Sequence, residues 1–246
     1  MTTVAGALGI FKSAADCPTV KSLVYTSDSF AFLLPKPNKI INVTVDMYNE
    51  DSVRIAQSTD KAGIGRIREE AWWQDGAMGM HVYAAAKVAA DKAIWQFINE
   101  NKPAFQVATV VPNINFGAVV GDLPLTSTGT CIPKLLTGTA TKADLLFPAM
   151  HFVNVRDCAK VHVAALLDGQ ADRKRLFAMT GPFNWNDVLE ILRRERPDGK
   201  IAADMDGLGK DSTVWLTAEA EELLRRWFGH TWMGLEESVK ENIDGC

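Results

Sequence analysis

The chain has 246 residues, of which 47% are apolar and 23% charged, enough to fill the core of one large domain or of a domain with a small lobe. Its net charge of −4 gives no basic footprint for nucleic acid. Its four scattered cysteines form no Cys-x-x-Cys pair, which argues against a metal site and a disulfide framework and favours the reducing cytoplasm.

The first predicted element is a helix over residues 3–16, ending before Cys17. Gly6 and Gly9 start like a Gly-x-x-Gly-x-x-Gly nucleotide fingerprint, but Lys12 stands in the third glycine's place and no strand precedes Gly6. The segment therefore predicts a helix and not a phosphate-binding loop. It also lacks the basic and apolar regions of a signal peptide, and no apolar run in the chain approaches the roughly 18 residues of a membrane span.

A short run of apolar and β-branched residues, Ser22–Thr26, predicts a strand buried on both faces. A polar cluster follows it directly, with Ser27, Asp28 and Ser29. Because ligands bind at the carboxyl ends of strands in open α/β sheets, we expect these side chains to lie near a ligand.

Residues 80–97 contain good helix formers and neither Gly nor Pro, and they predict a helix. Tyr83 and Lys87 lie one turn apart on one face of it. A phenol titrates near ~10, so proton transfer at neutral pH needs a shift of roughly three units, or about 4 kcal/mol. A cation about 4 Å away at an effective dielectric of ~20 supplies about that much. The pair is a candidate general acid, although its spacing alone also fits an accidental pair on a surface helix.

The remaining chain continues to alternate strands with helices. We predict strands over 105–111, 151–155 and 175–179, and helices from Asp157 to Leu167, from Asn184 or Asn186 to before Pro197, over 217–228 and over 234–243. Residues 39–79, with the adjacent Trp72 and Trp73, predict loops and short helices, and residues 121–149 predict a variable substrate-side segment. This alternation predicts an α/β fold with a parallel sheet.

The four histidines form no spaced cluster, so each is interpreted as a structural or surface residue. The chain has no Gly-x-Ser-x-Gly motif, so a Ser/His/Asp hydrolase is not favoured.

Five motifs occur in one order along nearly the whole chain: Val-Tyr-Thr-Ser, Leu-Leu-Pro-Lys-Pro-Asn, Val-Tyr-Ala-Ala-Ala-Lys, Val-Val-Pro-Asn-x-x-Phe-Gly and Phe-Val-Asn-Val-Arg-Asp. Together they resemble the extended short-chain dehydrogenases/reductases of the dihydroflavonol-reductase type, especially fungal NADPH-dependent aldehyde and ketone reductases. The Tyr-x-x-x-Lys helix is the most specific of these similarities.

The resemblance implies how the site would work. Tyr83 would donate a proton to a small-molecule carbonyl substrate while NADPH delivers hydride. Lys87 would bind the nicotinamide ribose and lower the Tyr83 pKa, and Pro112, Asn113 and Ile114 would lie near the nicotinamide. At the position where the family's Thr-Ser-Ser cluster has a carbonyl-orienting Ser, this chain has Asp28, which we expect to weaken the Tyr–Lys pair; Ser29 is the candidate for the lost hydroxyl.

Aligned by these motifs, the chain begins at the helix before the family's fifth strand. The resemblance then implies an incomplete Rossmann-type sheet in residues 1–118, without the adenosine- and pyrophosphate-binding half. Residues 119–246 would form a substrate lobe that includes the last sheet strands, at about 150–180. The expected function is NADPH-dependent carbonyl reduction. The alternatives are a truncated, non-catalytic remnant of such a reductase and an NAD-dependent epimerase or dehydratase.

Overall fold

The computed structural model describes residues 2–60, 63, 65, 77–119 and 127–244. Its helices are α1 (Thr2–Ala15), α2 (Glu50–Gln57), α3 (Ala77–Asn101), α4 (Cys131–Leu136), α5 (Val155–Leu167), α6 (Trp185–Glu195), α7 (Ala218–Phe228) and α8 (Leu235–Asp244). Its strands are β1 (Ser22–Thr26), β2 (Ile40–Asn42), β3 (Gln106–Pro112), β4 (Ile114–Phe116), β5 (Ala149–Asn154), β6 (Lys174–Ala178), β7 (Gly181–Asn184) and β8 (Ser212–Val214).

A three-stranded parallel sheet in the order β1-β3-β6 lies at the centre of the fold. Successive side chains of a strand point to opposite faces, and helices cover both faces of β3. Ala108 and Val110 pack with α5 and α7, whereas Val107 and Val111 pack with α1 and α3. This double burial explains why β3 is mostly apolar and does not alternate between apolar and polar residues.

A second sheet, in the order β4-β5-β7, encloses the largest apolar core. Strand β4 runs parallel to β5, and β7 runs antiparallel to it. Phe116, Phe183 and Trp185 meet edge to face in this core, and the indole N–H of Trp185 donates to the carbonyls of Leu145 and Phe147. Strands β2 and β8 pair in parallel as a small third sheet.

The predicted α/β fold with a parallel sheet flanked by helices is confirmed. The four predicted strands are present within two residues of their expected bounds. Strand β6 lies in the central sheet, and β5 pairs with β4 and β7 in the second sheet. The division of the chain at residue 118 stays a prediction, as does the variable role of residues 121–149, part of which lies outside the described residues. Trp72 and Trp73 also lie outside them.

Two local predictions are wrong. Asp157 does not cap α5: the Asn154 side chain accepts from the Arg156 N–H at that position, and the buried Asp157 carboxylate accepts from the Met233 N–H. Strand β1 is only half-buried, because it is the edge of its sheet and no other strand among the described residues pairs with its outer side.

No helix in the described part of the chain is both long and apolar enough to cross a membrane.

Candidate active site

Helix α3 presents Tyr83 and Lys87 at the carboxyl end of the central sheet. On the adjacent face Ala84 and Val88 are buried, and they pack the helix against the apolar cores. Tyr83 stays 43% exposed, and its ring packs edge to face on Phe30. The helix therefore fixes one end of the phenol while its hydroxyl reaches the loop after β1.

The loop after β1 carries Asp28, whose carboxylate shapes the chain locally. Its Oδ1 accepts from the Phe30 N–H at 2.8 Å and so caps the short 3₁₀ turn Ser29–Ala31. Asp28 itself has extended backbone, as cap residues do. One carboxylate oxygen of Asp28 is therefore used in the local fold, by the Phe30 N–H.

The second carboxylate oxygen of Asp28 contacts the candidate proton donor. The Tyr83 hydroxyl donates to Asp28 Oδ2 at 2.8 Å. Burial raises the pKa of Asp28, and it outweighs the hydrogen bonds from Phe30 and Tyr83 and the charge of Lys87, which lower it. Burial also raises the pKa of Tyr83 well above its usual range, and the Asp28 carboxylate raises it further. Tyr83 is therefore protonated at neutral pH, with its proton directed at Asp28.

Lys87 lies on the other side of the phenol. Its Nζ is 5.7 Å from the centroid of the Tyr83 ring and 3.5 Å from the carbonyl oxygen of Ser27. A cation at this place favours the tyrosinate, whereas the Asp28 carboxylate, in direct contact with the hydroxyl at 2.8 Å, disfavours it. The pKa of Tyr83 is raised, so burial and Asp28 dominate over Lys87.

These side chains surround a cavity of about 380 Å³. Pro112, Asn113 and Ile114, from the end of β3 and the start of β4, line the same cavity as Tyr83 and Lys87. The structure thus brings Tyr83, Lys87 and these three predicted cofactor contacts together with Asp28. Ser29 does not line the cavity, and its buried hydroxyl has no hydrogen-bond partner among the described residues.

Several lining residues escaped the sequence reasoning. They are mostly apolar: Phe30, Met80, Asn115, Thr128, Leu146 and Met150. Asn115 follows the polar turn after β3, which was a usable signal. The sequence gives no such signal for Leu146 and Met150, because it does not distinguish an apolar residue that lines a site from one that fills a core.

The residues around the cavity fit one end of a dinucleotide. Lys87 and the amide of Asn113 offer hydrogen bonds to a ribose and a carboxamide, and the cavity has room for a flat ring. Helix α1 runs as a regular helix through Gly6 and Gly9, so this segment forms no phosphate-binding loop. The sequence prediction of a helix in this segment is confirmed.

A larger cavity of about 520 Å³ lies between α3, β6 and the start of α7. Its cations are Arg173, Lys174 and Arg175, and each one faces a carboxylate, from Asp172, Glu219 and Asp91 respectively. It therefore offers no uncompensated charge for a ligand.

The histidines have structural partners. His81 contacts the Ser52 hydroxyl, His151 the Asp211 carboxylate, His162 the Thr26 hydroxyl and His230 the Lys160 ammonium. Within the described ranges no group of three His, Cys, Asp or Glu side chains is placed to hold a metal ion.

No family model matches this chain, but individual proteins do. It is 32% identical over 243 residues to aldehyde reductase 2 of Sporidiobolus salmonicolor, covering 98% of this chain and 67% of that protein. It is 31% identical over 244 residues to a ketoreductase of Penicillium roqueforti, with the same two coverages. An NAD-dependent epimerase/dehydratase of Aspergillus terreus is 27% identical over 241 residues, which cover 96% of this chain and 66% of that protein. The chain spans about two thirds of the length of these relatives.

Solved structures share the fold. The yeast methylglyoxal/isovaleraldehyde reductase complexed with NADPH superposes with a TM-score of 0.72 at 20% identity, over 99% of this chain and 69% of that one. Vestitone reductase from alfalfa superposes with a TM-score of 0.70 at 20% identity, over 99% and 70%. The central sheet, its helices and the smaller second sheet thus form a fold that is known from reductases.

Proposed function

This chain belongs to the extended short-chain dehydrogenase/reductase family, in its dihydroflavonol-reductase-like group, and from that membership we propose that it reduces aldehydes or ketones with NADPH. The observation that carries the proposal is the Tyr83–Lys87 pair facing a cavity at the carboxyl end of a parallel sheet. Relatives named as aldehyde reductase and ketoreductase support it.

Each residue of the pair has a proposed part. Tyr83 donates the proton to the carbonyl oxygen, since it is protonated at neutral pH and its hydroxyl lies at the cavity. Lys87 binds the ribose of the cofactor and offsets the negative charge that develops on the phenol. Bound NADPH supplies the hydride. Pro112, Asn113 and Ile114 bound the nicotinamide side of the cavity.

The cavity lining favours neutral, largely apolar carbonyl compounds. Phe30, Met80 and Met150 offer apolar contacts. The free thiols of Cys17, Cys131 and Cys158 are consistent with a reducing compartment, so we propose the cytoplasm as the location.

The proposal is tested by following NADPH oxidation against a panel of aromatic and aliphatic aldehydes. We expect Tyr83→Phe to lower the rate by about 10²–10⁴-fold, the usual contribution of a general acid. Tyr25→Phe is the matched control, because Tyr25 lies on β1 and does not line the cavity. A Tyr83→Phe variant as active as Tyr25→Phe would exclude this mechanism.

The epimerase or dehydratase alternative rests on the Aspergillus terreus relative. It is separated by incubating the protein with NAD and nucleotide sugars and following the sugar by NMR. If the chain turns over neither nucleotide sugars nor aldehydes, the result supports the alternative of a non-catalytic remnant.

A further inference from the structure

The Tyr83 hydroxyl and the Asp28 carboxylate form a hydrogen bond whose direction works against catalysis. Tyr83 donates to Oδ2 at 2.8 Å, so its only proton is not available to a substrate carbonyl. Oδ1 is occupied by the Phe30 N–H at the same distance. While Asp28 is ionised, the phenol is therefore held in a contact that a carbonyl has to break.

Protonation of Asp28 would reverse this bond. A proton on the carboxyl group settles on Oδ2, because Oδ1 already faces an N–H donor. The carboxyl O–H then donates to the Tyr83 oxygen, and the Tyr83 proton becomes free to point into the cavity. The Phe30 cap is retained in both states.

The surroundings of Asp28 make protonation accessible. The titratable groups that face it are Tyr83 and Lys87 from α3 and Tyr25 from its own strand. Lys87 is the one cation among these groups, and burial outweighs it, so that the pKa of Asp28 lies above its usual value. Asp28 and Lys87 make no direct ion pair among the described contacts, since Lys87 Nζ contacts the Ser27 carbonyl.

We propose that Asp28 is the proton store of this site: in its protonated form it donates to Tyr83, frees the Tyr83 proton for the carbonyl, and then refills Tyr83. This inference rests on the proposed reductase function. It gives Asp28 a part that a serine at the same position does not have, since a serine hydroxyl does not release its proton in this pH range.

The proton and electron balance is simple. The carbonyl carbon accepts hydride from bound NADPH, the π electrons move to the carbonyl oxygen, and that oxygen takes the Tyr83 proton to give the alcohol. The Tyr83 oxygen takes the Asp28 proton in the same step. Asp28 is left as a carboxylate and regains its proton from water after NADP⁺ and the alcohol leave.

The proposal fixes the sign of the pH dependence. The reactive form carries a protonated Asp28, so its population is full below the Asp28 pKa and falls about tenfold for each pH unit above it. The reduction rate is then highest in acid and declines towards neutral pH. Without a proton-storing Asp28, the reduction rate does not decline at this pKa.

The first test needs neither cofactor nor substrate. The chain contains three tyrosines, so labelling the ring Cζ carbon with ¹³C gives three assignable NMR signals. We expect the Tyr83 signal to shift as Asp28 titrates, with a midpoint above the usual pKa of a carboxyl group. In Asp28→Asn, which keeps an oxygen for the Phe30 cap, that shift should vanish. Asp16→Asn, an exposed carboxylate beyond α1, should leave it unchanged, and Tyr48 serves as the internal reference.

A Tyr83 signal that does not move in the unmodified chain, or that moves equally in Asp28→Asn, would overturn the proposal whether or not the chain is a reductase. The second test is the pH profile of NADPH oxidation. Asp28→Asn and Asp28→Ser should both lose the decline in rate above the Asp28 pKa, and Asp28→Ser should exceed the unmodified chain by about tenfold at one pH unit above that pKa. Variants that still show this decline would contradict the role of Asp28 as a proton store, and the reductase function would stand. A Tyr83 NMR signal that shifts with pH, in a chain that oxidises no NADPH with any carbonyl compound, would instead contradict the proposed reductase function.

Discussion

At the scale of single residues, a buried ion pair joins the helix that carries Tyr83 to the central sheet. Asp91 lies two turns beyond Tyr83 on α3 and is fully buried, and its Oδ2 accepts from Arg175 of β6 at 2.7 Å. Arg175 also donates to the Tyr48 hydroxyl and stacks over the Trp95 ring. The pair sets the position of α3 relative to β6, and with it the distance from Tyr83 to the loop after β1.

We expect Asp91→Asn to lower the free energy of unfolding by about 3–5 kcal/mol, because it leaves the Arg175 charge buried without its counter-ion. The matched control is Asp51→Asn, which removes an exposed carboxylate from a pair with Arg54 and should cost less than about 1 kcal/mol. Urea titration followed by circular dichroism measures both. Equal losses in the two variants would show that the buried pair does not hold α3.

The sequence predicted those site residues whose chemistry is local. Tyr83 and Lys87 follow from helical spacing, and Asp28 from a polar cluster at a strand end. The Tyr83–Asp28 hydrogen bond could not be predicted in that way, since it joins residues 55 positions apart and its direction depends on burial. The apolar lining from Leu146 and Met150 was equally inaccessible, because nothing in those residues marks them as lining a site.

At the scale of elements, helix starts differ in how firmly they are fixed. Helix α6 begins with a capping box: the Asn184 side chain accepts from the N–H groups of Asn186 and Asp187, and the Asp187 carboxylate accepts from the Asn184 N–H. The N-cap residue of helix α7 is Thr217, and its side chain makes no capping hydrogen bond. The two starts provide a matched pair within one protein.

Asn184→Ala should lower the free energy of unfolding by about 1–2 kcal/mol, because two N–H groups of the first turn of α6 lose their acceptor. Thr217→Ala at the start of α7 should change it by less than about 0.5 kcal/mol. Thermal unfolding of the two variants side by side is the measurement. If Thr217→Ala proves as costly as Asn184→Ala, the capping box is not what stabilises α6.

Strands of three or four residues were the elements that the sequence did not reveal. Strands β2, β4, β7 and β8 are too short to show a period, and β7 contains Gly181 and Pro182, which favour turns. They form because neighbouring segments are already in place: β4 extends the turn after β3, and β2 and β8 meet across the chain. In contrast, β1 and β3 have five and seven residues that are mainly apolar or β-branched, and these predict strands on their own.

At the scale of the whole molecule, the parallel sheet brings the site together. The carboxyl ends of β1 and β3 lie side by side in register, with Thr26 opposite Val110, so the loops that follow them reach the same cavity. Helix α3 completes it from one face, and the second sheet closes it through Met150 of β5. These elements define the cavity around Tyr83, and α1 is a regular helix that forms no phosphate-binding loop.

This arrangement predicts how the 246-residue polypeptide discriminates between cofactor fragments. We propose that the cavity binds the nicotinamide ribose, and α1 supplies no phosphate-binding turn, so the adenosine half of NADPH should add little affinity. We expect NADPH and reduced nicotinamide mononucleotide to bind within about threefold of each other, both with dissociation constants weaker than about 1 µM.

Isothermal titration calorimetry of a monodisperse preparation measures both affinities. Lys87→Met should weaken the two ligands by the same factor, since Lys87 faces the half that they share, whereas Lys12→Met on α1 should affect neither. Micromolar or tighter binding of NADPH, with about tenfold or greater preference over the mononucleotide, would contradict the prediction. That result would mean that residues beyond the Tyr83 cavity hold the adenosine half, and the cofactor site would then extend past the carboxyl edge of the central sheet.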